Sequence, residues 1–298
     1  LKAKVLGFVR DIKKAESIFG EQDTDVLCFV KHDVMDSVPE DIYADYLIHA
    51  AGITASKMMV EQPVETILTT IDGTKNILNF AVRCKMLGIV YLSSMEMYGT
   101  FDPNHGEIKE NELGYIDVLN IRSGYPESKR LAECLCASYA KEYNANVRVA
   151  RLAQTFGTGI LKTENRVFAQ FARSILKGDD IVLHTKGDKA NCYCYTTDAV
   201  TAILMLLTKG ENGQAYNVAN MDTFCSVREM AEIFLQYDKE NRCRLRIEIP
   251  ENLNSLGYAP SNILRLNSEK LMNLGWKPKY DIQGMICRLL ESMKCCED

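Results

Sequence analysis

Short apolar runs alternate with longer segments of helical period along this 298-residue chain, and that alternation most constrains its fold. The runs at Lys4–Val9, Val26–Val30, Tyr46–Ala50, Ile89–Ser93, Val147–Leu152 and Ile181–His184 read as strands of a parallel sheet buried on both faces. Between them, Val64–Met86 and Pro126–Tyr143 carry apolar residues at helical spacing. Pro126 suits a first helical turn, where its missing N–H costs nothing. Gly88 is placed to stop the earlier helix. Beyond residue 154 the pattern loosens: Ala199–Leu207 reads as a helix, Ala215–Val218 as a strand and Val227–Tyr237 as a helix. Gly-Trp-Lys-Pro278 then breaks the chain before a last helix at Ile282–Met293. The expected architecture is α/β, a doubly wound parallel sheet over residues 1–153. A smaller mixed lobe over residues 154–298, partly interleaved with the sheet, covers the carboxyl ends of the strands, where ligands bind in such folds.

A net charge of −5 and the lack of an aromatic-basic stripe give no electrostatic reason to bind nucleic acid. No run of about 18 apolar residues is present, so no membrane span is expected, and no export signal opens the chain. Eleven cysteines include Cys134/Cys136, Cys192/Cys194 and Cys295/Cys296, but no Cys-x-x-Cys, and the four histidines are scattered. These spacings do not build a metal site. Reduced thiols in a cytoplasm are the expected state.

Tyr125 and Lys129 stand at i and i+4 in Arg122-Ser-Gly-Tyr-Pro-Glu-Ser-Lys129, on one face of the second helix. The ammonium can then lie beneath the phenol ring. Such a cation favours the phenolate, and is expected to lower the tyrosine pKa from about 10 towards working pH. Ser94, in Tyr91-Leu-Ser-Ser-Met-Glu-Met-Tyr-Gly99, would hold a substrate oxygen beside that phenol. A phenol, an amine and a hydroxyl can together move a proton while a nicotinamide moves a hydride.

Other segments follow in order: Asp33-Val34, His49-Ala-Ala-Gly-Ile-Thr54, Gly73-Thr-Lys-Asn-Ile-Leu78, Arg151-Leu-Ala-Gln-Thr-Phe-Gly157 and Leu274-Gly-Trp-Lys-Pro278. Together with the serine and tyrosine segments they resemble the extended short-chain dehydrogenases/reductases, specifically the NAD-dependent nucleotide-sugar epimerase/dehydratase family. The nearest look is towards UDP-glucuronate decarboxylase and dehydratase-like members, through Glu96, Arg122 and Asn165-Arg166-Val167. The resemblance implies Ser94, Glu96, Tyr125 and Lys129 as catalytic residues. It implies that Arg10, Asp33, Val34, Ala50, Ala51 and Gly52, with Tyr125 and Lys129, hold NAD or NADP. Ser94, Arg122, Gln154 and Arg166 would bind a sugar, which passes through a transient ketone. The helices at 64–86 and 126–143 correspond to those that pair into a homodimer. A non-catalytic dinucleotide-binding or protein-interaction member of the same fold is the alternative.

The departures from the family pattern carry expectations of their own. The family opens with a strand and a glycine-rich turn that cradles pyrophosphate. Leu1-Lys-Ala-Lys-Val-Leu-Gly-Phe-Val-Arg-Asp11 instead resembles the end of that first helix and the second strand. The chain is therefore read as part of a longer gene product, with a gap at the sheet centre and exposed apolar surface. Thr70 stands where an asparagine supports a proton-relay water, and Met95 where an aspartate donates a proton. Asn191 stands where an arginine grips the nucleotide diphosphate, and Ala259-Pro-Ser-Asn262 has no counterpart to a second arginine. Val9 occupies the place of the acid that binds ribose hydroxyls, and Arg10 follows, which tips the expectation towards NADP although Asp11 is next to it.

Overall fold

The computed structural model describes residues 3–20, 25–250 and 262–295. The expectations attached to Leu1–Lys2, to residues 259–261 and to Cys296 lie outside the described residues.

The first half runs β1 (Val5–Val9), α1 (Ile12–Phe19), β2 (Leu27–Lys31), β3 (Tyr46–His49), α2 (Ser56–Glu61), α3 (Pro63–Arg83), β4 (Gly88–Ser94), α4 (Gly124–Glu142) and β5 (Val147–Leu152). The second half continues with β6 (Gln154–Phe156), α5 (Val167–Lys177), β7 (Ile181–Leu183), β8 (Ala190–Tyr195), α6 (Thr196–Lys209) and β9 (Ala215–Val218). It closes with β10 (Asn220–Ser226), α7 (Val227–Leu235), β11 (Leu245–Ile247), β12 (Ile263–Leu264), α8 (Glu269–Met272) and α9 (Ile282–Lys294). Every strand read from the sequence is present to within a residue or two. Gly88 does not stop α3: that helix ends at Arg83, Lys85 turns the chain with φ 51°, and Gly88 opens β4.

Parallel ladders join β3, β4, β5 and β9 in that order. Side-chain alternation explains why β4 and β5 read as unbroken apolar runs. Ile89, Tyr91, Val147 and Val149 enter one core with Ile77, Leu78 and Phe80 of α3 and Ala132 and Cys136 of α4. Val90 and Ala150 point to the opposite face and meet Ala199, Ala202, Ile203 and Leu206 of α6. Helices thus cover both faces, which makes the sheet doubly wound.

β1 and β2 form a separate parallel pair. Among the described residues no ladder joins β1 to β3, and the facing edges expose Val5 and Leu6 on one side and Tyr46 and Ile48 on the other. This is the gap at the sheet centre that the sequence leads one to expect. The remaining lobe is mixed. β8 is flanked by antiparallel β10 and by parallel β12 and β6, while α5, α7 and α9 pack around Phe156, Phe168, Phe171 and Phe234. Because β9 and α6 return to the first sheet, the two halves interleave.

One polar network crosses this core. Arg151 of β5 donates to both carboxylate oxygens of Glu133 on α4, at 2.7–3.2 Å, and Ser93 of β4 donates to Glu133 at 2.5 Å. The same guanidinium donates to the Tyr98 hydroxyl at 2.9 Å and the Glu110 carbonyl at 2.7 Å, and Tyr98 donates on to Asn217 of β9 at 2.8 Å. Removing one member of a buried ion pair leaves the other charge uncompensated, at a cost of about 3–5 kcal/mol. Arg151→Met is therefore expected to lower the urea-unfolding free energy by that amount, and Arg151→Met with Glu133→Leu by clearly less. Equal losses in the two variants would show that the charges are not coupled.

Candidate active site

The buried stripe of α4 is polar rather than apolar. Tyr125, Lys129 and Glu133 recur at every fourth residue and face β4 and β5 together with Ser128, Ala132 and Cys136. Lys129 donates through Nζ to the Leu92 carbonyl at 2.8 Å, and its ammonium lies 4.7 Å from the Tyr91 ring centroid and 5.9 Å from that of Tyr125. β4 ends at Ser94, whose hydroxyl accepts from the Glu96 N–H at 3.2 Å and caps the helical turn Met95–Tyr98. Gly99 closes that turn with φ 72°, where a side chain would run into the Tyr115 carbonyl. The turn buries Met95 in the core and leaves Glu96 facing Arg122, whose Nη2 donates to Glu96 Oε2 at 2.8 Å. Arg122 in turn lies 5.7 Å from the centroid of the Tyr125 ring. Ser94, Glu96, Arg122, Tyr125 and Lys129, far apart in sequence, meet at the carboxyl end of β4.

The charge relations differ from the sequence expectation on one point. Burial is the largest influence on Tyr125 and pushes its pKa up to about 12, with Glu96 adding to the rise. A hydrogen bond from Ser94 and the Arg122 guanidinium act in the opposite direction. The cation that favours the phenolate here is Arg122, while Lys129 lies over the ring at 5.9 Å from its centroid. Lys129 is turned to Leu92 and Tyr91, and burial lowers its own pKa to about 8 against the pull of Glu133. Beside Lys129, burial holds His49 neutral with a pKa near 3, and its Nε2 shares a hydrogen bond with Thr74 at 3.1 Å.

A cleft of about 590 Å³ opens between β1 and β3, lined by Arg10, Asp33, Val34, His49, Ala50, Ala51 and Gly52 among others. Every cofactor residue expected outside α4 therefore faces one space. Helix α3 shapes its wall: Gly73 lets the Val34 methyls approach to 2.9 Å of where a Cβ would stand, and Asn76 donates to the Val34 and Met35 carbonyls at 3.0 and 2.8 Å. Asp11 accepts from the Lys14 N–H at 3.0 Å and caps α1, so its carboxylate is engaged, whereas Arg10 has no hydrogen-bond or ion-pair partner among the described residues. Ala50, Ala51 and Gly52 are small and leave room in this cleft for a dinucleotide. Among the described residues no glycine-rich turn stands where its pyrophosphate would lie. Thr70 spends its hydroxyl on the Thr66 carbonyl at 2.8 Å.

The substrate-side residues divide. Arg122 is at the centre, and its Nε and Nη1 are buried without a hydrogen-bond partner. Gln154 is half-buried in β6, opposite Tyr193 of β8. Arg166 is held by its own neighbours: it pairs with Glu164 at 2.7 Å, donates to the carbonyl of Thr155, next to Gln154, at 3.3 Å and covers the Phe168 ring. One residue was not legible in the sequence. Lys189, just before β8, lies within electrostatic reach of Glu96 and Arg122.

The depressed Lys129 pKa has a measurable consequence. An unfolded chain keeps this proton up to about 10.5, whereas the folded protein releases it near 8, so between those values the unfolded state binds more protons. The contribution of Lys129 to stability is therefore lowest below pH 8 and rises as pH rises through that window. The stability of the protein relative to Lys129→Met should improve from pH 8 to about 10.5. A difference that stays flat in urea titrations across that range would contradict the buried, charge-disfavouring setting of Lys129.

Known proteins share these features. The sequence pattern of the NAD dependent epimerase/dehydratase family matches residues 3–219. UDP-glucuronic acid decarboxylase 5 of Arabidopsis thaliana is 32% identical over 254 residues, covering 85% of this chain and 71% of that protein. DesIV, a dTDP-glucose 4,6-dehydratase from Streptomyces venezuelae solved with NAD and TYD bound, has a TM-score of 0.80 at 19% identity, over 99% of this chain and 88% of that one. RMD from Pseudomonas aeruginosa, complexed with NADPH, has a TM-score of 0.76 at 21% identity, over 95% and 94%. Those two structures share the fold, and the sequence match spans both the cleft and the group around Tyr125. The chain belongs to the NAD dependent epimerase/dehydratase family.

Proposed function

We propose that the chain oxidises and then decarboxylates a nucleotide-activated uronic acid, using NAD(P) as a recycled hydride carrier. The observation that carries this reading is the Arg122 guanidinium. It is tied to Glu96 and stacked by Tyr125, and still offers two buried N–H groups with no acceptor. Unmet buried donors of a cation suit an anionic ligand. The decarboxylase named among the relatives acts, by its name, on UDP-glucuronic acid, which carries such an anion.

In this mechanism Ser94 orients the sugar hydroxyl beta to the carboxylate, and Tyr125 Oη takes its proton. When bound, the oxidised dinucleotide supplies the hydride acceptor and a positive ring charge that favours a neighbouring phenolate. Lys129 holds the cofactor ribose and places Tyr125. The resulting ketone lies beta to the carboxylate, so the bond to the carboxyl carbon can break with its electrons passing into an enolate and CO₂ leaving. The alpha carbon then takes a proton from water, which the Glu96 carboxylate, paired with Arg122, orients by accepting its other hydrogen. Tyr125 Oη would then return its proton to the oxygen as the dinucleotide, if bound, gave back the hydride. Arg166 completes the outer rim of the sugar site with Gln154.

Residues 1–153 carry the dinucleotide and residues 154–298 the sugar in this reading. Arg10 takes the 2′-phosphate of NADP, the role left to it by the engagement of Asp11 with α1. Exposed Val64, Ile67 and Leu68 on α3 and Leu131 on α4 form the faces through which two copies pair. The ten described cysteines are free, in keeping with a reducing cytoplasm, and among the described residues no helix is long and apolar enough to cross a membrane. A non-catalytic role is the weaker reading, because the tyrosine and lysine that such members lose both stand in the buried site.

One set of samples tests these points. Tyr125→Phe should lose at least about 100-fold in turnover of UDP-glucuronate while keeping its affinity for dinucleotide. Unchanged turnover would exclude the mechanism. Titration of the same samples should show tighter binding of NADP than of NAD, and light scattering should give twice the chain mass. The reverse cofactor order or a monomer mass removes the corresponding assignment.

A further inference from the structure

Lys189 is a cation that the mechanism above leaves without a task. Its backbone is fixed: its carbonyl accepts from the Val227 N–H at 2.9 Å, and the next residue, Ala190, is paired with Ser226 of β10 on one side and Ile263 of β12 on the other. The side chain is half-buried, and among the described residues its ammonium has no hydrogen-bond or ion-pair partner. It is close enough to Glu96 to be attracted and to Arg122 to be repelled. Lys129, the other lysine of the site, is committed to the Leu92 carbonyl.

Among the described residues Arg122 is ion-paired with one anion, Glu96, and has Lys189 as a neighbouring cation. Glu96 already accepts from Arg122 Nη2. The buried, unpartnered Nε and Nη1 of Arg122 and the half-buried Lys189 ammonium thus bring two cations towards the single carboxylate of Glu96. An uncompensated cation there is costly, and an incoming carboxylate relieves the cost by pairing with both groups. Among the described residues no carboxylate other than Glu96 pairs with Arg122, and none pairs with Lys189. Asn191, two residues further along the same strand face, is uncharged, and its Oδ1 is buried without a donor, which suits a sugar hydroxyl rather than an anion. Arg166 is neutralised by Glu164 and Arg10 faces the cleft between β1 and β3.

We propose that Lys189 is the specificity-determining residue of this site, gripping the sugar carboxylate jointly with Arg122 so that a nucleotide-activated uronic acid is selected over its neutral counterpart. The inference rests on the uronate reading of the site and names the residue that enforces it. A free ammonium could also serve the diphosphate, which every nucleotide-activated sugar carries, so the probes must separate the two anions.

Binding of UDP-glucuronate and of UDP-glucose is measured by calorimetry on the full chain, without added dinucleotide, for the wild type, Lys189→Met and Lys189→Arg. The wild type should prefer UDP-glucuronate. Lys189→Met should lose about 10- to 100-fold in affinity for UDP-glucuronate alone, the range for a hydrogen bond to a charged group, and Lys189→Arg should recover most of it. Unchanged melting temperature and unchanged UDP-glucose affinity show that Lys189→Met is folded. Equal losses for both ligands would place Lys189 on the diphosphate and overturn the proposal, as would no loss at all. A wild type that does not prefer UDP-glucuronate would instead sink the uronate reading itself, and the role of Lys189 with it.

Discussion

The ion pair between Arg151 and Glu133 fixes the geometry on which the site depends. Glu133 is the third member of the α4 stripe that begins with Tyr125 and Lys129, so whatever holds Glu133 sets the depth and rotation of that helix. Arg151 holds it from β5, Ser93 holds it from β4, and the same guanidinium reaches the Tyr98 hydroxyl at the end of the turn that presents Glu96. Buried ion pairs seldom add net stability compared with apolar packing. Their contribution here is register: one helix, two strands and one turn cannot slide relative to each other without stranding a charge.

That rigidity permits an electrostatic arrangement that water would screen. The pKa of Tyr125 is raised by burial and by Glu96, and Ser94 and Arg122 act against that rise. Lys129 is itself close to losing its proton at neutral to mildly basic pH, because a buried ammonium is disfavoured. In the proposed site Glu96, Arg122 and Lys189 are electrostatically linked. Specificity in such a unit comes from the groups left unpaired, since those are the ones a ligand must satisfy.

Much of the fold was legible in the sequence because strands buried on both faces leave unbroken apolar runs, as in Ile89–Ser93 and Val147–Leu152. The meeting of Ser94, Glu96, Arg122 and Tyr125 was legible only through the order of motifs, since no local spacing brings residue 94 to residue 125. Three things were not. The direction of the Lys129 side chain depends on the Leu92 carbonyl, a tertiary contact that i, i+4 spacing cannot supply. Helix α5 begins at Arg166 without a side-chain cap, so its start carries no signal. Strand β8, Ala-Asn-Cys-Tyr-Cys-Tyr, has no aliphatic residue larger than alanine, and without that strand Lys189 has no visible connection to the site. Gly73 and Asn76, seen as parts of a signature, gain a physical reason in the seating of Val34 and Met35 against α3.

The central claim is that this buried cluster removes a hydride and a proton from a sugar carbon beta to a carboxylate. Rapid-quench mass spectrometry of a single turnover with UDP-glucuronate deuterated at C4 tests it most directly. The account predicts deuterium on the nicotinamide ring, appearing before or together with CO₂. CO₂ release with no deuterium ever reaching the dinucleotide, or a substrate left untouched by protein saturated with dinucleotide, would contradict it.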